Sequence, residues 1–155
     1  MLLSSRPGYR ALRRGRASCP GAAYLITTIT RDRTPVFRHF PAGCAAARCF
    51  ENPMLLRDSH MLAWVLMPDH AHWLIQLGEV DSLAALVNRL KSSSSRMAGK
   101  CAGTESSIWL AGFHDHGLRA EEDLLGVARY IVANPLRAGL VRRVGDYPFW
   151  NAVWL

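Results

Sequence analysis

The chain has 155 residues, half of them apolar, which is enough for one globular domain with a substantial core. Its 19 Lys and Arg against 12 Asp and Glu give a net charge of +7, and all but two of the cations are arginines. Because Arg makes bidentate contacts with phosphate, this composition favours nucleic acid as the partner. No apolar run reaches the roughly 18 residues of a spanning helix, and Met1-Leu2-Leu3 is too short for a signal peptide core, so we expect a cytoplasmic protein.

The four cysteines exclude the two common uses of cysteine in small domains. They are Cys19, Cys44, Cys49 and Cys101. No two of them form a C-x-x-C pair, and none has a neighbouring histidine at the spacing of a zinc knuckle. A zinc ribbon or a disulfide framework needs such spacings. We therefore interpret them as buried or incidental thiols.

The first 16 residues form a basic segment that precedes the rest of the chain. Its cations are Arg6, Arg10, Arg13, Arg14 and Arg16, and no acidic residue occurs before Asp32. Since the segment has few apolar side chains to bury, it cannot build a core of its own. It is either a disordered basic tail or an arm that becomes ordered on DNA phosphates. We divide the chain into this flexible arm, 1–16, and a single domain, 17–155.

The pattern of apolar residues predicts seven elements in the order β-α-β-β-α-β-α. They are a strand at 22–30, a helix at 36–50 that Pro41 delays to about residue 42, strands at 61–67 and 70–77, a helix after Ser82, a strand at 107–110 and a helix from 121 or 122 to Asn134. The two middle strands are so close in sequence that we expect an antiparallel hairpin. Pro135 would lie just past the last helix. This order predicts an α+β fold of the ferredoxin-like, split β-α-β type, with helices on one face of an antiparallel sheet.

His70 and His72 open the second strand of the hairpin. Side chains alternate along a strand, so both imidazoles lie on one face while Ala71 and Trp73 lie on the other. Such a pair suits a divalent metal, although half-buried histidines on sheets are also common. By itself the pair leaves both interpretations open.

Tyr130 and Asn134 are four residues apart on the last predicted helix, which places them one turn apart on one face. Two interpretations of Tyr130 follow. Periodicity alone favours a core aromatic whose hydroxyl bonds a backbone carbonyl. Alternatively, the hydroxyl is a nucleophile beside an amide ligand.

Two segments resemble the REP-associated tyrosine transposases, relatives of the single-tyrosine transposases of small insertion sequences. They are 67–74, Met-Pro-Asp-His-Ala-His-Trp-Leu, and 130–141, Tyr-Ile-Val-Ala-Asn-Pro-Leu-Arg-Ala-Gly-Leu-Val. Shorter supporting stretches are Arg14-Gly15-Arg16, Trp64, residues 112–116 and residues 146–150. The resemblance extends from about residue 13 to the C-terminus.

This resemblance implies an HUH endonuclease that cuts single-stranded DNA. It implies that His70, His72 and Asn134 hold Mg²⁺ or Mn²⁺ and that Tyr130 is the nucleophile. Attack would leave a 5′-phosphotyrosine and a free 3′-OH, so that the strand can be rejoined without a nucleotide cofactor. Members recognise short palindromes folded as hairpins, and we expect a monomer, with a dimer possible. The residues expected to contact DNA are Arg10, Arg13, Arg14, Arg16, Lys91, Arg96, Arg119 and Arg137.

Two alternative activities stay open at this point. The protein could bind DNA hairpins without cutting them, or it could be a metal-dependent nuclease that uses water as its nucleophile. Without the resemblance, a second His-x-His segment, His114-Asp115-His116, would compete as the metal site. The charged Asp115 at its centre predicts an exposed loop rather than a strand. The basic far end of the second helix is either a solvated end or a phosphate-facing surface.

Overall fold

A computed structural model describes residues 19–119 and 122–154. Within them a five-stranded antiparallel sheet has the strand order β4-β1-β3-β2-β5. The strands are β1 Ala23–Ile29, β2 His60–Met67, β3 His70–Gln76, β4 His114–Gly117 and β5 Trp150–Ala152. The helices are α1 Phe40–Phe50, α2 Pro53–Leu56, α3 Leu83–Ala102, α4 Leu124–Val132 and α5 Asn134–Arg137. The predicted arm, including Arg10, Arg13, Arg14 and Arg16, lies outside the described residues.

The central hairpin is the predicted one. β2 and β3 pair around the two-residue turn Pro68-Asp69, and β1 adds to the other side of β3. The antiparallel sheet with packed helices confirms the predicted fold class.

Ser82 caps α3, as predicted, by accepting a hydrogen bond from the Ala85 backbone N–H. No helix among residues 19–119 and 122–154 is long and apolar enough to cross a membrane.

One face of the sheet carries the larger core. Alternation sends Trp73, Tyr24 and Leu66 to this face, where α1 and α3 cover them. Phe50 of α1 meets the Trp64 and Trp73 rings edge-on, with ring centroids 5.3 and 5.1 Å apart. Most of the large aromatic side chains of the fold are therefore buried on the side away from the histidine pair.

The other face carries a smaller core and α4. Ala128, Ile131 and Val132 of α4 pack against Val65 and Leu74 of the sheet. The prediction that all helices lie on one face was therefore wrong. α4 is amphipathic, and its apolar side needs a partner, which the alternate residues of β2 and β3 supply.

Three elements differ from the sequence-based prediction. The fourth strand is 114–117, not 107–110; in the latter segment only Trp109 forms a single bridge, with Thr30. His114-Asp115-His116 is therefore a strand rather than a loop, because its backbone pairs with β1 at the edge of the sheet. β5 is too short to show a sequence pattern. The predicted last helix is α4, which ends at Val132 instead of Asn134. A further short helix, α5, follows it, and Pro135 lies in the first turn of α5.

Candidate functional site

His70 and His72 lie on the same face of the sheet, as predicted, and α4 packs on that face. In the register His70 pairs with Ile29 and His72 with Thr27 of β1. The two ring centroids are 5.0 Å apart and the ring planes are nearly perpendicular, at 81°. Both side chains are partly buried. The sheet thus holds two imidazoles side by side at one end of the hairpin.

A carboxylate orients the His70 ring. Asp69 Oδ1 lies 2.7 Å from His70 Nδ1, and Asp69 Oδ2 lies 3.2 Å from Arg33 Nε. A carboxylate only accepts hydrogen bonds, so His70 Nδ1 is the donor, and in a neutral imidazole Nε2 then keeps the lone pair. This fixes the tautomer that can bind a cation through Nε2.

A hydroxyl orients the His72 ring. Thr27 Oγ1 lies 2.9 Å from His72 Nδ1. The pKa of His72 is lowered to about 4, first by burial and then by the nearby charges of His70 and Arg137. His72 is therefore neutral at pH 7, which is the form that binds metals. Within residues 19–119 and 122–154, Nδ1 makes the only hydrogen bond of each ring.

The turn that carries Asp69 is fastened to the segment after β1. The Thr30 backbone N–H and Oγ1 donate to the Asp69 carbonyl, at 2.9 and 3.1 Å. Asp32 and Arg33 both have left-handed backbones, with φ of 56° and 54°. Two adjacent non-glycine residues in this region store strain, which is typical of functional sites. The strained turn presents Arg33 to Asp69.

Tyr130 lies on the outer side of α4 with 63% of its surface exposed. The interpretation of Tyr130 as a core aromatic was therefore wrong. Arg137 covers its ring, with the guanidinium carbon 4.0 Å from the ring centroid. Arg137 Nη2 also donates to the Tyr130 carbonyl, at 2.7 Å. The Arg137 charge is also the last of the three causes that lower the pKa of His72.

Asn134 begins α5 rather than ending the tyrosine helix. Its side chain is partly buried, and α5 packs against β2, the strand beside the histidine strand. The chain between Tyr130 and Asn134 thus crosses a helix boundary at Ala133. Pro135, in the first turn of α5, lacks the backbone N–H that would continue the hydrogen bonding of α4. The prediction that Tyr130 and Asn134 share one face of a continuous helix was therefore wrong. Both residues nevertheless belong to helices that pack on the histidine face of the sheet.

The remaining residues predicted to contact DNA occupy different environments. Lys91 is 9% exposed, and its Nζ donates to the carbonyls of Leu110 and Gly112 at 2.8 and 2.6 Å. This buried geometry favours a structural role and contradicts the prediction that Lys91 faces phosphate. Arg96 is exposed beside a groove of about 760 Å³ at the basic end of α3. Arg119 is exposed after β4, where its backbone N–H donates to Glu122.

The second His-x-His segment lies on the same sheet face as the first. His114 pairs with Thr27 and His116 with Leu25, so Thr27 stands between His72 and His114. His116 Nε2 lies 3.4 Å from Glu122 Oε2. No group of three or more His, Cys, Asp or Glu in the described ranges is arranged to hold a metal ion.

Sequence reasoning missed Thr27, Asp69 and Arg33 as orienting residues. Asp69 directly precedes His70, and a carboxylate beside a ligand histidine is a recognisable signal. Thr27 and Arg33 have no such signal, because their roles depend on the strand register and on the turn after β1.

The chain matches a family model described as "Transposase IS200 like" over residues 19–133. A Haemophilus influenzae relative named as a REP-associated tyrosine transposase is 30% identical over 144 residues, which cover 83% of this chain and 78% of the relative. An Escherichia coli REP-associated tyrosine transposase is 30% identical over 95 residues, 60% of this chain and 54% of the relative.

One solved structure has the same fold at appreciable sequence identity. It is described as a REP-associated tyrosine transposase bound to a REP hairpin. It matches with a TM-score of 0.66 at 25% identity, over 87% of this chain and 79% of that chain.

Proposed function

Because the chain belongs to the IS200-like transposase family and is related to REP-associated tyrosine transposases, we propose that it cleaves and rejoins single-stranded DNA at palindromic REP-type hairpins. As a tyrosine transposase it is a DNA strand transferase and endonuclease. The observation that carries the detailed proposal is the exposed Tyr130 ring, which the Arg137 guanidinium covers on the helix that packs over the histidine face.

In the proposed reaction, Tyr130 Oη attacks the scissile phosphorus. The phenol gives up its proton, the P–O3′ bond breaks and the released O3′ takes up a proton, so no net proton is consumed. The strand ends as a 5′-phosphotyrosine and a free 3′-OH. Because one phosphodiester replaces another, a 3′-OH can reverse the reaction and rejoin DNA. Arg137 is the cation available beside the tyrosine to bind the charged phosphate oxygens.

The histidine pair fits a divalent cation. His70 has its Nδ1 proton fixed by Asp69, and His72 is held neutral, so both can offer an Nε2 lone pair on one face of the sheet. The third protein ligand we propose is Asn134, as the family resemblance implies; its partly buried side chain begins α5, which packs against β2. A bound Mg²⁺ or Mn²⁺ would supply Lewis-acid polarisation of the scissile phosphate.

The remaining parts of the proposal concern how the DNA is held. We propose that Arg96, Arg119 and Arg137, with the arm arginines, contact phosphates of the hairpin and of its unpaired flank. We propose a monomer in which Tyr130 serves the histidine pair of its own chain. Action on genomic DNA would place the protein in the cytoplasm.

Two other activities would use much of the same surface. A hairpin-binding protein that does not cut would have no need of an exposed tyrosine on the helix that packs over the histidine face. A nuclease that uses water would release a free 5′-phosphate and form no covalent adduct. The exposure of Tyr130 and its contact with Arg137 favour tyrosine chemistry over both.

The test is to trap the covalent intermediate. Wild type and Tyr130→Phe are incubated with Mg²⁺ and a 3′-end-labelled single-stranded oligonucleotide that carries a palindromic hairpin, then run on a denaturing protein gel. We expect a labelled protein band for wild type and none for Tyr130→Phe. Tyr147→Phe is the matched control, because it removes a different tyrosine hydroxyl, one that bonds the Leu66 carbonyl, and should leave the band intact. Tight hairpin binding without an adduct would refute the proposal.

A further inference from the structure

A small cleft lies beside the histidine pair on the same face of the sheet. It has a volume of about 160 Å³ and is lined by Thr27, Ile29 and the segment 110–114. Thr27 bonds the His72 ring, and Ile29 pairs with His70 in the sheet. Since neighbouring strands are about 4.8 Å apart, the cleft over β1 is one strand away from the two imidazoles.

The lining of the cleft suits one unpaired nucleobase. Leu110 and Ile29 supply apolar surface, and Leu110 is 44% exposed, so its side chain is accessible to a ligand. His114 contributes an aromatic ring with polar nitrogens at the edge. A nucleobase has apolar faces and polar edges, so it matches apolar walls and an imidazole better than a phosphate or a sugar does.

A basic groove begins on the other side of the same segment. Leu110, Ala111 and Gly112 line both the cleft and the groove of about 760 Å³ at the end of α3. The exposed cations of the groove are Arg31, Arg96 and Lys100, and Glu105 is the one carboxylate among its lining residues. A polyanionic strand can therefore run from the groove over this segment to the cleft, and this continuity favours DNA as the occupant of the cleft.

Buried Lys91 holds the separating segment in place. Its Nζ donates to the carbonyls of Leu110 and Gly112 from beneath, at 2.8 and 2.6 Å. The Leu110 backbone N–H also donates to the Ile29 carbonyl, at 2.8 Å. These bonds fix the wall of the cleft before any ligand enters, and preorganisation of this kind lowers the entropic cost of binding.

We propose that this cleft binds one unpaired base of the DNA strand next to the scissile phosphate, and that Leu110 and His114 determine how tightly it is held. The inference rests on the proposed function, because it assigns a base subsite to the single-stranded substrate. It makes His114 of the second His-x-His segment a substrate-contacting residue instead of a metal ligand.

The test combines single abasic sites with cleft variants. Fluorescence anisotropy in EDTA measures the affinity of labelled hairpin oligonucleotides, each lacking the base at one unpaired position around the cleavage site. For wild type we expect one position at which loss of the base weakens binding about tenfold, in the range found for a stacked base. Leu110→Ala and His114→Ala should weaken binding of the intact oligonucleotide by a similar factor.

The decisive result is non-additivity at that one position. The cleft variants should show no further loss when the sensitive base is absent, because the partner of the base has already been removed. Val80→Ala, at an exposed apolar residue outside the cleft lining, is the matched control and should behave as wild type. Additive losses in the cleft variants, or unchanged binding of the intact oligonucleotide, would overturn the inference.

The two proposals fail separately. If the covalent adduct forms but the cleft variants show no coupling to any base, the base subsite is wrong and the cleavage proposal stands. If coupling is found without any adduct, the subsite stands in a protein that binds DNA without cutting it.

Discussion

Acidification should destabilise the metal-free protein through His72. The pKa of His72 is about 4 in the folded protein, whereas an unfolded chain has the ordinary value near 6.5. Below pH 6.5 the unfolded state therefore binds the extra proton, and stability is lost as the pH falls toward 4. About 1.5 pH units below the ordinary value, at roughly pH 5, the loss is about 2 kcal/mol at 1.36 kcal/mol per unit. Above pH 6.5 this contribution is fully present.

The measurement is urea unfolding in EDTA at a series of pH values, for wild type and His72→Gln. The glutamine variant removes the titrating group, so the free energy of unfolding of wild type should fall by about 2 kcal/mol more than that of the variant between neutral pH and about pH 5. His60→Gln, at an exposed histidine, is the control and should follow wild type. Equal pH dependence of wild type and His72→Gln would refute the assignment of His72 as a buried, neutral imidazole.

Two further predictions concern the cation and the DNA. Asp69→Asn should weaken Mn²⁺ binding by about 10- to 100-fold, because the His70 ring loses its carboxylate partner; calorimetry measures this, and Asp146→Asn should have no effect. Arg96→Gln combined with Lys100→Gln should reduce the slope of log affinity for single-stranded DNA against log salt by about 0.7 per lost phosphate contact. Arg48→Gln, an exposed arginine on α1, is the control for that measurement, and an unchanged slope in the double variant would remove the groove from the DNA path.

The parts of the fold that depend on local patterns could be predicted from the sequence. The hairpin of β2 and β3 follows from two alternating apolar runs around a short turn, and α3 follows from its cap and apolar stripe. Alternation also placed His70 and His72 on one face correctly. These features depend on residues that are neighbours in the sequence.

The parts that depend on tertiary pairing could not be predicted. β4 is a short polar edge strand whose residues have no strand propensity, and it forms because β1 offers backbone partners. The exposure of Tyr130 depends on which side of α4 meets the sheet, and Thr27 meets His72 only through the strand register. The metal roles of His70, His72 and Asn134 and the nucleophile role of Tyr130 depend on the family resemblance, and they stay predictions.

The sheet divides the molecule into a face that sustains the fold and a face that carries the proposed chemistry. The large aromatic core under α1 and α3 supplies most of the buried apolar surface, whereas α4 is attached by smaller side chains such as Ala128 and Val132. Substitutions at exposed positions of the histidine face, such as Tyr130, therefore cost the domain little stability. The edge strand, the clefts and the loops can change, and with them the DNA target, while the packing of the opposite face stays the same.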